Sequence, residues 1–102
     1  MNIEFLSEVN FDEVINKNKI VLVDFYASWC GPCKMLSKVL EQLSKERDDF
    51  LIGKLNIDFE KMIVERYKVY TVPTLMVFKD GVMVKRSLGY KTKEQILSLI
   101  LD

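Results

Sequence analysis

Seven consecutive residues, Ile20-Val21-Leu22-Val23-Asp24-Phe25-Tyr26, are apolar on both alternating faces apart from one carboxylate. A strand written this way has no side to give to water, so it suits the middle of a sheet covered above and below. The rest of the chain supplies the covers. Asn10-Phe11-Asp12-Glu13 has the form of a capping box, with Asn10 as N-cap and Glu13 at N3. The short helix it opens would bury Phe11, Val14 and Ile15. Residues 34–43 carry Leu36, Val39, Leu40 and Leu43 at i, i+3, i+4 and i+7, the apolar stripe of a helix.

Residues 50–57 read as a second central strand with Gly53 and Lys54 inside it, and residues 61–67 as a helix. Taken alone, Lys54 reads as a solubility residue of an edge strand. Residues 74–78 and 82–87 flank Asp80-Gly81, a hairpin turn signal. Thr92-Lys93-Glu94-Gln95 is a second capping box, opening a last helix with Ile96 and Ile100 on its core side. The expected order is β-α-β-α-β-α-β-β-α, parallel crossovers followed by an antiparallel hairpin, sandwiched between helices. Met35, Met62, Met76 and Met83 fall within apolar patterns and read as packing.

The 102 residues make one domain, and 49% hydrophobic content is enough for a core that needs no disulfide. Fifteen basic and 15 acidic residues cancel. No basic surplus points to nucleic acid and no charged tail to a membrane surface. The absence of histidine removes the commonest general base and the commonest zinc ligand. Met1-Asn2-Ile3-Glu4-Phe5-Leu6-Ser7-Glu8 has neither the basic lead nor the apolar core of a signal peptide. No later run is long enough to span a bilayer. The expectation is a chain complete from its Met, and a cytoplasmic one. There, a lone cysteine pair reads as catalytic or metal-binding rather than structural.

Both cysteines lie in Trp29-Cys30-Gly31-Pro32-Cys33-Lys34, at the junction of the apolar strand and the amphipathic helix. Three plain readings compete with redox chemistry. A structural disulfide would close only a four-residue loop, worth about 2 kcal/mol. A zinc half-site lacks a second ligand pair. Inert buried thiols are the third. The redox reading has a mechanism, because the thiolate is the attacking species and a helix N-terminus favours it. A thiol with a pKa of ~8.5 is about 3% ionised at pH 7, and lowering it to ~7 raises the thiolate roughly fifteen-fold. Intrinsic nucleophilicity falls only about five-fold over that range. Cys30 precedes the helix and can meet the free N–H groups of its first turn. Cys33 lies inside that turn and should be less exposed. Cys30 is therefore the expected nucleophile and Cys33 the resolving thiol. Pro32 is tolerated in the first turn and stiffens the loop. Asp24 is costly in a doubly covered strand unless it is protonated, paired or reaches water at the strand end.

The chain resembles the thioredoxin family over essentially its whole length. The resemblance is carried by Val23-Asp24-Phe25-Tyr26-Ala27-Ser28-Trp29-Cys30-Gly31-Pro32-Cys33-Lys34, by Lys54-Leu55-Asn56-Ile57-Asp58, by Thr71-Val72-Pro73-Thr74, by Phe78-Lys79-Asp80-Gly81 and by Gly89. It implies a thioredoxin-like three-layer α/β/α sandwich around a central mixed β-sheet, as a single domain over residues 1–102. It implies a protein disulfide reductase working by dithiol–disulfide exchange, with no metal or bound organic cofactor. Thioredoxin reductase and disulfide-containing target proteins are the implied partners of a monomer.

By the same resemblance, Asp24 is a buried acid that exchanges a proton with Cys33, and Lys54 is its partner on the adjacent strand. Pro73 matches a cis proline lying against the disulfide, and Val72 would offer backbone groups to an extended substrate segment. The implied groove comprises Trp29, Gly31, Pro32, Val72, Pro73, Gly89 and Tyr90. Trp29 could also be core, but its place directly before the cysteine favours covering the site. Three positions depart from the family pattern. Lys38 stands where a helix-kinking proline is common, Tyr26 where tryptophan is frequent, and Tyr90 where a small residue is usual. The same fold can serve as a scaffold with dispensable cysteines, and alanine at both would reveal it by sparing partner binding. An oxidase or isomerase is disfavoured by the Gly31-Pro32 pair.

Overall fold

The apolar strand takes the middle of a five-stranded sheet, and the chain's alternation of strand and helix follows from covering it. The computed structural model of the protein describes residues 2–102. Its elements run β1 (Ile3–Phe5), α1 (Phe11–Lys17), β2 (Ile20–Tyr26), α2 (Gly31–Glu46), β3 (Leu51–Asn56), α3 (Lys61–Tyr67), β4 (Thr74–Lys79), β5 (Val82–Leu88) and α4 (Lys93–Leu101). This is the expected order. Met1, the first residue of the segment read as carrying no leader, lies outside the described residues.

The strand order is β1-β3-β2-β4-β5. β3 runs parallel to both β1 and β2, while β4 is antiparallel to β2 and to β5. At the β4–β5 turn, Asp80 and Gly81 both take positive φ, 52° and 82°, as a tight hairpin requires. β3 is thus an interior strand, and Lys54 is not an edge residue.

Side chains alternate across a strand with period two, so β2 feeds two cores. Val21, Val23 and Phe25 pack with Phe11, Val14 and Ile63 from α1 and α3. Leu22 joins Ile52, Leu75 and Val77 against Leu36, Leu40 and Leu43 of α2 and Ile96 and Ile100 of α4. Two cores on opposite faces of one mixed sheet give three layers. The same period commits Asp24, two residues after Leu22, to the α2 side.

Several local expectations need correction. Asn10 is the N-cap of α1 but makes no side-chain cap. Its amide is spent elsewhere: the oxygen accepts from Ser7 N at 2.7 Å and the nitrogen donates to Phe5 O at 3.1 Å. Val39 is half-buried rather than core. Of the methionines read as packing, only Met76 is buried; Met35, Met62 and Met83 are exposed. The second capping box does form: Thr92 Oγ1 accepts from Gln95 N, and Gln95 Oε1 accepts from Thr92 N. Thr92→Ala should cost about 1 kcal/mol. A denaturant melt should show a lower midpoint with an unchanged slope.

Candidate active site

At the end of β2 the chain turns through Ala27-Ser28-Trp29 into α2, and Cys30 is the helix N-cap. Its backbone is extended, φ −93° and ψ 116°, and its sulfur accepts a hydrogen bond from Cys33 N at 3.2 Å. The 16-residue helix carries no acidic residue in its first turn, so nothing there offsets its positive end. Pro32 occupies the first turn, where no N–H is needed. The Cys30 and Cys33 sulfurs are joined as a disulfide, with Cα atoms 5.2 Å apart. Both residues are buried, at 5% and 3% exposure, so the expected difference in exposure is slight. Together they pack on Ala27, with Tyr26, Ile57 and Val72 around them. Their helix positions are what distinguish them: Cys30 caps α2 and Cys33 is its third residue.

Asp24 is fully buried on the α2 side of the sheet. Neither carboxyl oxygen has a hydrogen-bond partner among the described residues. Lys54 is its register partner on β3, and Lys54 Nζ lies 3.8 Å from Asp24 Oδ2, an ion pair longer than a hydrogen bond. Burial pushes the Asp24 pKa up from 3.8 to about 7, and the Lys54 charge offsets only part of that rise. The acid is therefore poised near neutrality. Beside it, Tyr26, Ala27, Ser28, Cys33, Lys34, Ser37 and Lys54 line a cavity of about 150 Å³. Lys54 and Cys33 thus share the wall of one space.

The expected groove residues lie around this end of the sheet. Trp29 is 70% exposed, which excludes the core reading, and its Nε1 donates to Asp58 Oδ2 at 3.1 Å. Gly31 and Pro32 are exposed at the start of α2. Val72 packs on the cysteine cluster, and Pro73, joined to it by a cis peptide bond, is buried. Gly89 N donates to Pro73 O at 2.8 Å. The φ of +86° at Gly89 is one that a side chain would strain. Tyr90 follows it, exposed. α2 runs without interruption through Lys38.

Two residues at the site carried no assigned role in the sequence. Asp58 holds the Trp29 indole. Ser37 accepts a hydrogen bond from Lys54 Nζ. Ser37 sits four residues after Cys33, and that helical spacing alone could have placed it on the cysteine's face. Among the described residues, no group of three or more His, Cys, Asp or Glu side chains gathers to hold a metal ion. No helix there is long and apolar enough to cross a membrane.

The comparisons agree with this geometry. The thioredoxin family profile matches residues 2–102. The thioredoxin of Chlamydia pneumoniae is 47% identical over 98 residues, covering 96% of this chain and 95% of its own. That of Alicyclobacillus acidocaldarius is 40% identical over 98 residues, covering 95% and 93%. Among solved structures, a mutant thioredoxin from Halobacterium salinarum superposes with a TM-score of 0.90 at 36% identity, covering 97% of this chain and 88% of that one. The solution structure of oxidised thioredoxin from Plasmodium falciparum gives 0.87 at 32% identity, covering 97% and 95%. With a mixed five-stranded sheet, four helices and a cysteine pair closed at the head of α2, the chain belongs to the thioredoxin family.

Proposed function

We infer that Cys30 is the attacking thiolate and Cys33 the resolving thiol of this thiol–disulfide oxidoreductase. The Cys30 thiolate attacks one sulfur of a target disulfide. A Cys30–target bond forms, the target S–S bond breaks, and the second target sulfur leaves as a thiolate that takes a proton. Cys33, deprotonated, then attacks Cys30 Sγ. The Cys30–Cys33 bond forms and the first target sulfur leaves. Two electrons pass to the target and the protein ends as the disulfide. The observation that carries the assignment is the hydrogen bond from Cys33 N to Cys30 Sγ at the N-cap of α2, which favours a charged sulfur at Cys30.

Asp24 exchanges the proton that Cys33 must lose, and Lys54 tunes that carboxyl. Support comes from an acid titrating at about 7 close to a cavity that reaches Cys33. An extended target segment would pair with the Val72 backbone, bordered by Trp29, Gly31, Pro32, Pro73, Gly89 and Tyr90. The working unit is a single domain over residues 1–102, a cytoplasmic monomer. Thioredoxin reductase restores the dithiol, and disulfide-containing proteins are the targets.

The reduction potential tests the direction of electron flow. Equilibration against a reference dithiol should place the Cys30–Cys33 couple near −270 mV, about the thioredoxin value. A potential of about −120 mV, in the range of periplasmic oxidants, would overturn the reductant reading.

A further inference from the structure

We propose that Ser37 is a positioning residue: it holds the Lys54 ammonium off Asp24, and so sets the pH at which that carboxyl gives up its proton. The proposal rests on the reading of Asp24 and Lys54 given above. Lys54 Nζ has three neighbours of different kinds. It donates to Ser37 Oγ, lies 4.9 Å above the centre of the Tyr26 ring, and stands 3.8 Å from Asp24 Oδ2. The hydrogen bond goes to the neutral hydroxyl. The carboxyl oxygens, the stronger acceptors when ionised, have no hydrogen-bond partner among the described residues.

A half-buried helical serine usually turns its hydroxyl back onto its own helix. Ser44, seven residues on, does so by donating to Glu41 O at 2.9 Å. Ser37 instead receives the ammonium across the gap between α2 and the sheet. Few other groups can influence the carboxyl. β3 contributes Lys54, β4 the apolar Leu75 in register, and β2 the Tyr26 phenol. From α2, Cys33, Lys34 and Ser37 line the adjoining cavity. Among these, Lys54 is the charge whose field reaches Asp24 appreciably.

Without the Ser37 hydroxyl, the Asp24 carboxylate, 3.8 Å away, is the charged acceptor that draws Lys54. A movement of roughly 1 Å would convert the ion pair into a charge-assisted hydrogen bond. That bond favours the ionised carboxylate, so the proton would leave at lower pH. Ser37→Ala should therefore lower the Asp24 midpoint by about one pH unit, a tenfold loss of proton affinity.

The test is a carbon-detected NMR titration of the Asp24 carboxyl in the oxidised protein, where neither cysteine titrates. Ser37→Ala should shift the midpoint down, and Ser37→Thr, which keeps the hydroxyl, should restore it. In a Lys54→Met background, Ser37→Ala should have no effect. A midpoint that stays or rises in Ser37→Ala overturns the proposal, and so does an equal drop without Lys54. A purely structural serine would move the melting point and leave the midpoint in place. If the midpoint falls while the pH profile of protein-disulfide reduction stays put, Ser37 keeps its role and Asp24 loses its part in proton exchange.

Discussion

Cys30→Ser is expected to bring reduction of a protein disulfide down to the uncatalysed background, whereas Cys33→Ser should halt the reaction with the target held on Cys30. A serine hydroxyl at the N-cap keeps the hydrogen bond from the helix but supplies no thiolate, so the first bond never forms. In Cys33→Ser the first step is intact: Cys30 remains at the positive end of a 16-residue helix, and what is lost is the second thiol. The mixed disulfide then has no internal route out. Non-reducing electrophoresis with intact-mass analysis, after exposure to a disulfide-bonded protein, separates the two. A stoichiometric adduct should appear for Cys33→Ser and essentially none for Cys30→Ser. Equal adducts from both variants would show that helix position does not select the nucleophile.

The parts of this fold legible in the sequence are those written in strong periodicities. Residues 20–26 have the bounds expected of them, because a doubly apolar strand leaves little choice; residues 61–67 also have theirs, though only Ile63 of that helix is buried and its pattern is weaker. β1 is expected from its place in the order but without bounds, since one half-buried and two exposed residues carry no period. Capping was legible at Thr92 and misleading at Asn10 for a tertiary reason: the Asn10 amide is drawn to Phe5 and Ser7 instead of its own helix. Lys54 shows the limit of reading a strand alone. Whether it lies at an edge depends on β1, whose Phe5 pairs with Lys54 from far away in sequence. The cysteine pair was legible because helix start and strand end are both local. Its surroundings were less so. Asp58 and Ser37 are ordinary surface-type residues, and only the meeting of β3 with α2, and of the loop after β3 with Trp29, gives them work.

Asp24→Asn should raise stability by an amount that grows with pH, while slowing disulfide reduction. In the unfolded chain the carboxyl ionises near its ordinary 3.8, and in the fold near 7, because burial outweighs the attraction of Lys54. Between those values the folded protein holds a proton that the unfolded chain has lost. Stability therefore falls as pH rises through that window and levels off above it. Roughly three pH units at ~1.4 kcal/mol each amount to a loss on the order of 4 kcal/mol. An amide stays neutral at every pH, though it must itself be buried. The variant should thus match the parent near pH 4 and exceed it by about 2–4 kcal/mol at pH 8. Lys54 loses its counter-charge in the variant but keeps Ser37 and the Tyr26 ring. Turnover should move the other way, slowing by up to about 10²-fold at neutral pH, because the amide cannot take the Cys33 proton. Denaturant melts at pH 4, 6 and 8, run beside reduction rates, read both effects. A stability difference that does not change with pH would mean that Asp24 titrates normally in the fold, and proton exchange at Cys33 would then need another partner.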